Sequence, residues 1–550
     1  MKRIDRRTLL QCSGMVAGSL GLRGFAWAEG APVAVTQAGK IGGAMEDGIN
    51  VFKGVPYGGD TARTRFKAPA PPAPWTGVKD CVGFTTMAPQ TVGARAVPAG
   101  AMRTSAAGVP GAPRDQGVQS EDCLHLNVWT AELRDGKKRP VLVYFHGGAY
   151  NNGTVNSDLY DGKRLCHRGD VVVVTVNHRL NGFGYLYLGD LAAEYAQSGN
   201  AGQLDLVLAL QWVRDNIAEF GGDPSRVLIF GQSGGGAKCA ALMATPVAKG
   251  LFHRVMTMSG QQIKGASIGI ASGRAKTVLE KMGVPASLRG KDLAARLDGL
   301  TMEQIQEGTR AVSADWLPVV DGVVLPRNPF DPDAPALSER VPMVLGNVHD
   351  ETAVAAPSGM TWEQAPAALQ AAVSEYLGPY SAEQVVAKFR EIHPEYTPLQ
   401  VDIAAATAFR AWPGQRWEAE RRAANPVSQP LTWVYQMNFQ GANGRAMHTI
   451  DIPFMFDNIA MAEGQIGSEQ LAAANGLAAT MSGMLIAYGR SGNPNYAELP
   501  QWPAYELKSR STMIWDQRGD RAPHVENDPR GAERVFADRS HYHQAGTPLP

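Results

Sequence analysis

Val227-Leu228-Ile229-Phe230-Gly231-Gln232-Ser233-Gly234-Gly235-Gly236 is the stretch on which the reading of this chain turns. An apolar run reads as a buried strand, glycines bracket a serine, and Ala237 to Ala244 continues as an apolar helix. In a G-x-S-x-G bend the serine sits on a tight strand-to-helix turn. The positions two before and two after it are crowded, so only small residues fit there. The bend lifts the hydroxyl above a sheet, and the helix start lends it partial positive charge. The pattern alone is common: with 61 glycines in 550 residues, chance supplies about half a match per chain at typical residue frequencies. A second match, Gly265-Ala266-Ser267-Ile268-Gly269, is in fact present. No strand feeds directly into it, and it reads as a Gly-rich loop. Ser233 has both strand and helix.

Outward from this bend, Pro140 to Phe145 and Val171 to Val176 are continuous apolar runs, as expected of strands buried on both faces of a sheet. Ala201 to Glu219 carries Leu206, Leu210, Trp212, Val213 and Ile217 mostly on one helical face. Val33 to Tyr57 reads as short strands with glycine turns. Strands alternating with helices predict a mostly parallel α/β sheet. After Gly260 longer helical stretches take over, near 272–308, 361–392 and 400–424, interrupted by strand-like Val341 to Leu345 and Leu431 to Phe439. The expectation is one α/β domain over 29–550 with helical insertions at about 272–308 and 361–424. Residues 91–119 (TVGARAVPAGAMRTSAAGVPGAPRDQGVQ) have no periodicity and read as a long loop, a type usually functional or mobile.

The first 28 residues are set apart. Met1 to Arg7 is basic and ends in Arg6-Arg7, a weakly apolar Gly-rich stretch follows, and Ala26-Trp27-Ala28 is a small-x-small cleavage pattern. Twin arginines before a mild apolar run resemble a bacterial Tat export signal, which predicts a periplasmic or secreted protein. The stretch contains Arg23 and falls short of the roughly 20 apolar residues a membrane span needs, so no stable membrane anchor is expected. Across the chain 52 basic and 52 acidic side chains cancel, apolar residues make up 44% and charged residues 19%. That balance does not fit a disordered chain and offers no basic face for a phosphate backbone, so nucleic acid is not an expected partner. Beyond residue 28 lie Cys81, Cys123, Cys166 and Cys239. No pair has metal-ligand spacing, and Cys239 reads as a free thiol on a buried helix.

A serine nucleophile needs an imidazole to take its proton, a carboxylate to hold that imidazole, and fixed N–H donors for the oxyanion. The strand at Pro140 to Phe145 runs into His146-Gly147-Gly148-Ala149. Small residues there let backbone N–H groups approach a substrate, with the amide after the nucleophile, Gly234, as the usual partner. Such donors are worth about 3–4 kcal/mol each. Among the histidines after Ser233, His448 ends a Gly-rich loop (GANGRAMH) just after a strand-like run. His393 falls between helical stretches, and His541 and His543 lie in a polar tail and read as solvated. Between nucleophile and base, Asn347-Val348-His349-Asp350-Glu351 follows a buried strand. Asp350 and Glu351 point in different directions, and the residues themselves do not choose between them.

With these stretches in view, the sequence resembles the type-B carboxylesterase family, which includes bacterial p-nitrobenzyl esterases and cholinesterases. The similarity runs over nearly the whole chain beyond residue 28. It begins at Phe52-Lys53-Gly54-Val55-Pro56-Tyr57, Ser120-Glu121-Asp122-Cys123-Leu124, Asn127-Val128 and HGGAY. It continues through GNAGQLD (199–205), NIAEFGGDP (216–224), GQSGGG, Val319-Val320-Asp321-Gly322 and Asp350-Glu351. His448 with Asp451, Pro453 and Phe456, then Gly492-Asn493-Pro494-Asn495 and Trp502-Pro503-Ala504-Tyr505, complete it. The resemblance implies an α/β-hydrolase fold, Ser233 as nucleophile, Glu351 as acid and His448 as base, and oxyanion donors at the amides of Gly148, Ala149 and Gly234. It also matches Ser259 to a serine usually found near the triad.

Three departures stand out. Gln232 and Gly234 flank the nucleophile where the family usually has Glu and Ala. Ala88 replaces the usual cysteine before Pro89-Gln90, leaving Cys123 without its normal disulfide partner, for which Cys81 is a substitute candidate. The 91–119 loop is Ala/Gly/Pro-rich where relatives build part of the active-site rim. The function implied is a serine carboxylesterase acting on a small-molecule ester through an acyl-enzyme, with no metal or organic cofactor. Amides, carbamates and lactones are alternative substrates of the same machinery. A non-catalytic cholinesterase-like binding module is the rival from another class; such modules typically lose the nucleophile, which this chain keeps.

Overall fold

The computed structural model describes residues 30–90, 117–312, 316–352, 359–517, 522–540, 543–544 and 546–547. Residues 1–29, on which the expected export signal falls, and all of the 91–119 loop before residue 117 lie outside these. Residues Pro32–Pro550 form one compact unit.

Among the described residues, eleven strands make the main sheet: β1 (Ala44–Glu46), β2 (Ile49–Pro56), β3 (His125–Thr130), β4 (Arg139–Phe145), β5 (Val172–Val176), β6 (Gly222–Gln232), β7 (Arg254–Met258), β8 (Met343–Val348), β9 (Thr432–Met437), β10 (Ser511–Trp515) and β11 (His524–Asn527). Their spatial order is β11-β10-β9-β8-β7-β6-β4-β5-β3-β2-β1. The pairs from β10 across to β5 are parallel, and antiparallel pairs flank them at both edges. The mostly parallel sheet expected from the sequence is therefore present.

The apolar runs explain its centre. Alternate residues of β4 point to opposite faces: Val141, Val143 and Phe145 join Leu206, Leu210 and Val213 of the helix Ala201–Asn216 on one side. Leu142 and Tyr144 join Met481, Met484, Leu485 and Tyr488 of the helix Leu471–Ser491 on the other. Each buried aliphatic side chain contributes about 1.5–3 kcal/mol, so a strand apolar at every position is stable only with both faces covered. With the turn before it, this helix forms a segment, Ser468–Ser491, long and apolar enough to cross a membrane, and here it packs along the sheet.

Helices after β7 build two further clusters. Ile268–Lys281, Gly290–Asp298 and Met302–Arg310 bury Val278, Leu293, Leu297 and Ile305 together. Ala365–Val373, Ala382–Ile392 and Pro398–Ala406 bury Leu369, Val385, Phe389 and Val401. Cys81, Cys123, Cys166 and Cys239 are all buried free thiols. The Cys81–Cys123 bridge considered from the sequence is not formed.

Candidate active site

The loops that matter all leave the carboxyl ends of parallel strands, and in sheet order β9, β8, β6 and β4 deliver His448, Glu351, Ser233 and the Gly147–Ala149 loop side by side. In open α/β sheets this is the edge where ligands bind.

Ser233 has φ 56° and ψ −126° between β6 and the helix Gly234–Met243. A non-glycine residue held there costs about 1–3 kcal/mol and persists only when its surroundings impose it. Two glycines do so. A Cβ on Gly231 would lie 2.5 Å from the Gly235 carbonyl carbon, and one on Gly235 would lie 1.9 Å from the Phe145 carbonyl oxygen. The bend can close on β4 only without side chains at both places. Ser233 remains partly exposed while its neighbours on either side are buried.

Glu351 meets the imidazole: His448 Nδ1 lies 2.6 Å from Glu351 Oε2. The other oxygen, Oε1, accepts the Val348 N–H at 2.9 Å, so the carboxylate is fixed from both ends. Its neighbour turns elsewhere. Asp350 Oδ1 lies 2.7 Å from His349 Nδ1, and Oδ2 accepts the Ala446 N–H at 2.9 Å. Asp350 N–H donates in return to the Ala446 carbonyl at 3.0 Å. Asp350 thus laces the β8 loop to the loop that carries His448, and Glu351 is left facing the imidazole.

Desolvation at the site pulls His448 down, but the Glu351 carboxylate beside it outweighs this and holds the imidazole above its ordinary value. A neutral imidazole with Nδ1–H on Glu351 presents Nε2 as an acceptor. In this structure the Gln232 side-chain amide donates to it at 3.2 Å, and Ser233 Oγ makes no hydrogen bond among the described residues. Behind the pair, Asp451 Oδ2 accepts the Tyr435 hydroxyl at 2.9 Å, and burial pushes its carboxyl up to about 7. A second buried acid therefore sits beside the Glu351–His448 pair.

The β4 loop carries two of the amides that the resemblance implies as oxyanion donors. Gly148 and Ala149 both have positive φ, 88° and 52°. Neither amide, nor that of Gly234 at the first position of its helix, donates a hydrogen bond among the described residues. His146 and His178 stack beneath this loop with ring centroids 4.7 Å apart. Burial drives His146 down to about 3 and His178 well below its ordinary value, so both rings are neutral. Ser259, just past the end of β7 with φ 50°, is buried, and its hydroxyl has no partner among the described residues.

Other sequence candidates lie apart. The reading of 265–269 as a loop with no strand feeding into it is corrected: Ala266–Ser267 is a two-residue strand paired parallel with Val319–Val320, and Ser267 caps the helix Ile268–Lys281, its hydroxyl accepting the Ile270 N–H. His393 bonds Glu533 at 2.9 Å. His543 corrects the reading of a solvated tail: it is buried, packed on Tyr376 and 3.6 Å from Glu375. The chain end folds back there, with Gln544 Oε1 accepting the Ile263 N–H at 3.1 Å. His541 lies outside the described residues. Sequence reading missed the Gln232–His448 contact and the buried Lys238; the latter's only signal was one cation inside the helix GGGAKCAALM.

The fold defines an α/β-hydrolase. The carboxylesterase family pattern matches residues 30–530. The chain is 32% identical over 521 residues to the para-nitrobenzyl esterase of Bacillus subtilis, covering 91% of this chain and 97% of that one. It is 31% identical to the phenmedipham hydrolase of Pseudarthrobacter oxydans, covering 89% and 96%. A carboxylesterase of Geobacillus stearothermophilus superposes with a TM-score of 0.75 at 31% identity, over 92% of this chain and 99% of that one. The chain belongs to the carboxylesterase family and is a carboxylic ester hydrolase.

Proposed function

We propose that ester cleavage runs through Ser233 as nucleophile, His448 as general base and acid, and Glu351 as the carboxylate that orients it, with the oxyanion held by the amides of Gly148, Ala149 and Gly234. The observation that carries this is the 2.6 Å His448–Glu351 contact at the strand end beside the strained Ser233 bend. His448 Nε2 leaves the Gln232 amide, takes the Ser233 proton as Oγ attacks the ester carbonyl, and passes that proton to the departing alcohol. Water repeats the sequence on the acyl-enzyme and releases the acid. No step calls on a metal or cofactor, and among the described residues no cluster of His, Cys, Asp or Glu could hold a metal ion.

The substrate is a small-molecule ester, and amides, carbamates and lactones remain alternatives of the same chemistry. p-Nitrophenyl esters of rising acyl length with one anilide would rank these, and a fluorophosphonate should label Ser233, read by peptide mass spectrometry. Label on any other serine, with Ser233 unmodified, would overturn the assignment. We further propose export through the twin-arginine segment Met1–Ala28. Cell fractionation tests this: the protein should move from periplasm to cytoplasm when Arg6 and Arg7 become lysine, and a cytoplasmic wild type would refute it.

A further inference from the structure

The helix that follows Ser233 carries a lysine with no charge partner. Lys238 is fully buried and forms no ion pair among the described residues. Among the described residues its Nζ donates to two carbonyls, His146 O at 3.2 Å and Ala149 O at 2.9 Å. The remaining side of the ammonium lies over the Tyr150 ring, 5.5 Å from its centroid. Burying an ammonium costs several kcal/mol unless its surroundings replace water, and burial pulls this one down to about 7. Methionine or leucine would fill the same space without that cost.

What the ammonium holds is the loop bearing two of the proposed oxyanion donors. Those donors are the N–H groups of the 147–148 and 148–149 peptides. The peptides on either side, 146–147 and 149–150, present the two carbonyls that Lys238 binds. The inner two are braced as well: His146 Nδ1 lies 2.8 Å from Gly147 O, and Gly148 O accepts the N–H groups of Asn151 and Asn152, both at 3.1 Å. All four peptides are therefore pinned by their oxygens. A donor on each oxygen also polarises the chain of peptides.

We infer that Lys238 is a positioning residue for ester cleavage, clamping both ends of the oxyanion loop so that the Gly148 and Ala149 amides are already aimed when the tetrahedral intermediate forms. This rests on the proposed roles of Ser233 and of those amides. The same clamp accounts for Gly234. A Cβ there would lie 2.2 Å from the Ala149 oxygen and 2.5 Å from its Cα. The carbonyl that Lys238 draws in occupies the place where the family usually carries an alanine methyl, so lysine at 238 and glycine at 234 belong together.

The test uses the full-length enzyme with p-nitrophenyl butyrate as substrate and phenylboronic acid as a tetrahedral-adduct probe. Lys238→Met keeps the length and removes the donors. Its kcat should fall by about 10- to 100-fold, less than the roughly 10²- to 10³-fold for losing an oxyanion donor outright because the amides remain but are aimed less well, with KM changed by less than about threefold. Phenylboronic acid should weaken by a similar factor. Gly234→Ala should lose kcat strongly on its own, and the double variant should lose less than the product of the two, because the freed Ala149 carbonyl can yield to the methyl. Folded K238M with kcat within about threefold of wild type, or with unaltered boronate inhibition, overturns the inference, as do effects that simply multiply. If K238M does not fold, G234A alone decides: wild-type kcat in G234A would show that no carbonyl is held against Gly234. Activity surviving in Ser233→Ala is a separate signature and would sink the site assignment instead.

Discussion

Two stretches of this chain, 231–235 and 265–269, spell the same G-x-S-x-G pattern, and each serine stands where a strand passes into a helix, yet the two bends differ. Ser233 has φ 56°, at a bend pressed so tightly on β4 that a methyl on Gly235 would come within 1.9 Å of a backbone oxygen. Ser267 has φ −71° and ψ 157°, an ordinary N-cap conformation, and a methyl on Gly269 would meet nothing within 4 Å. Both glycines of the first bend are pressed against backbone; at the second, Gly265 is crowded, with a Cβ there 2.8 Å from the Pro318 carbonyl oxygen, but Gly269 after the serine is merely tolerated. A short pattern thus acquires chemical meaning only from the strand that feeds it and the element it packs against.

The contrast can be broken most sharply at the serines. Ser233→Ala should lower kcat by about 10⁴-fold or more, whereas Ser267→Ala should leave kcat unchanged and cost about 1 kcal/mol of stability through its lost cap. Ester turnover and urea midpoints on both variants would show it. Equal losses of activity would mean that the two bends had been told apart wrongly.

Adjacent carboxylates give the next largest difference. Glu351→Gln should cost about 10²- to 10⁴-fold in kcat, since an amide cannot hold the charged imidazole. Asp350→Asn keeps an oxygen for the Ala446 N–H and should stay within about tenfold of wild type. Steady-state kinetics at saturating ester would separate them, and a reversed order would transfer the orienting role to Asp350.

The glycines give a smaller effect, read in stability. Gly235→Ala should destabilise by about 3 kcal/mol or more, because the strand pair must part to admit the methyl. Gly269→Ala, near the start of a helix with open space around it, should stabilise by up to about 1 kcal/mol. Thermal melts of both variants in one buffer would decide, and similar shifts would show that the tight contact at Gly235 is absent.

The smallest expected effect sharpens the Ser233 side alone. In the proposed mechanism His448 acts as base when neutral, and Glu351 holds it above its ordinary value, so kcat/KM should rise with pH through a midpoint above about 6.5. Replacing the neutral amide on its Nε2 with a carboxylate, Gln232→Glu, favours the imidazolium further. The acid limb should then move to higher pH while the alkaline plateau changes little. A limb that stays in place would show that residue 232 does not face the imidazole in solution.

Local rules made part of this protein legible. Apolar runs at 140–145 and 171–176 announced strands covered on both faces, and the glycines around Ser233 announced the bend, because sterics and burial act over a few consecutive residues. Gly-rich loops after strand-like runs likewise marked where His448 and the Gly148–Ala149 donors would stand. Other features needed the folded chain. Which of Asp350 and Glu351 faces His448 depends on hydrogen bonds between loops nearly a hundred residues apart. His543 is buried because residues 543–544 return against the turn Ser374–Tyr376, which a polar tail does not advertise. The Gln232 amide on His448, the free thiols of Cys81 and Cys123, and the carbonyls gathered by Lys238 have the same origin. Sequence alone determined where strands, bends and reactive residue types fall, since those follow from neighbours along the chain. The tertiary structure decided which groups are partners, since hydrogen bonds and close contacts are set by distances across the sheet that no sequence spacing encodes.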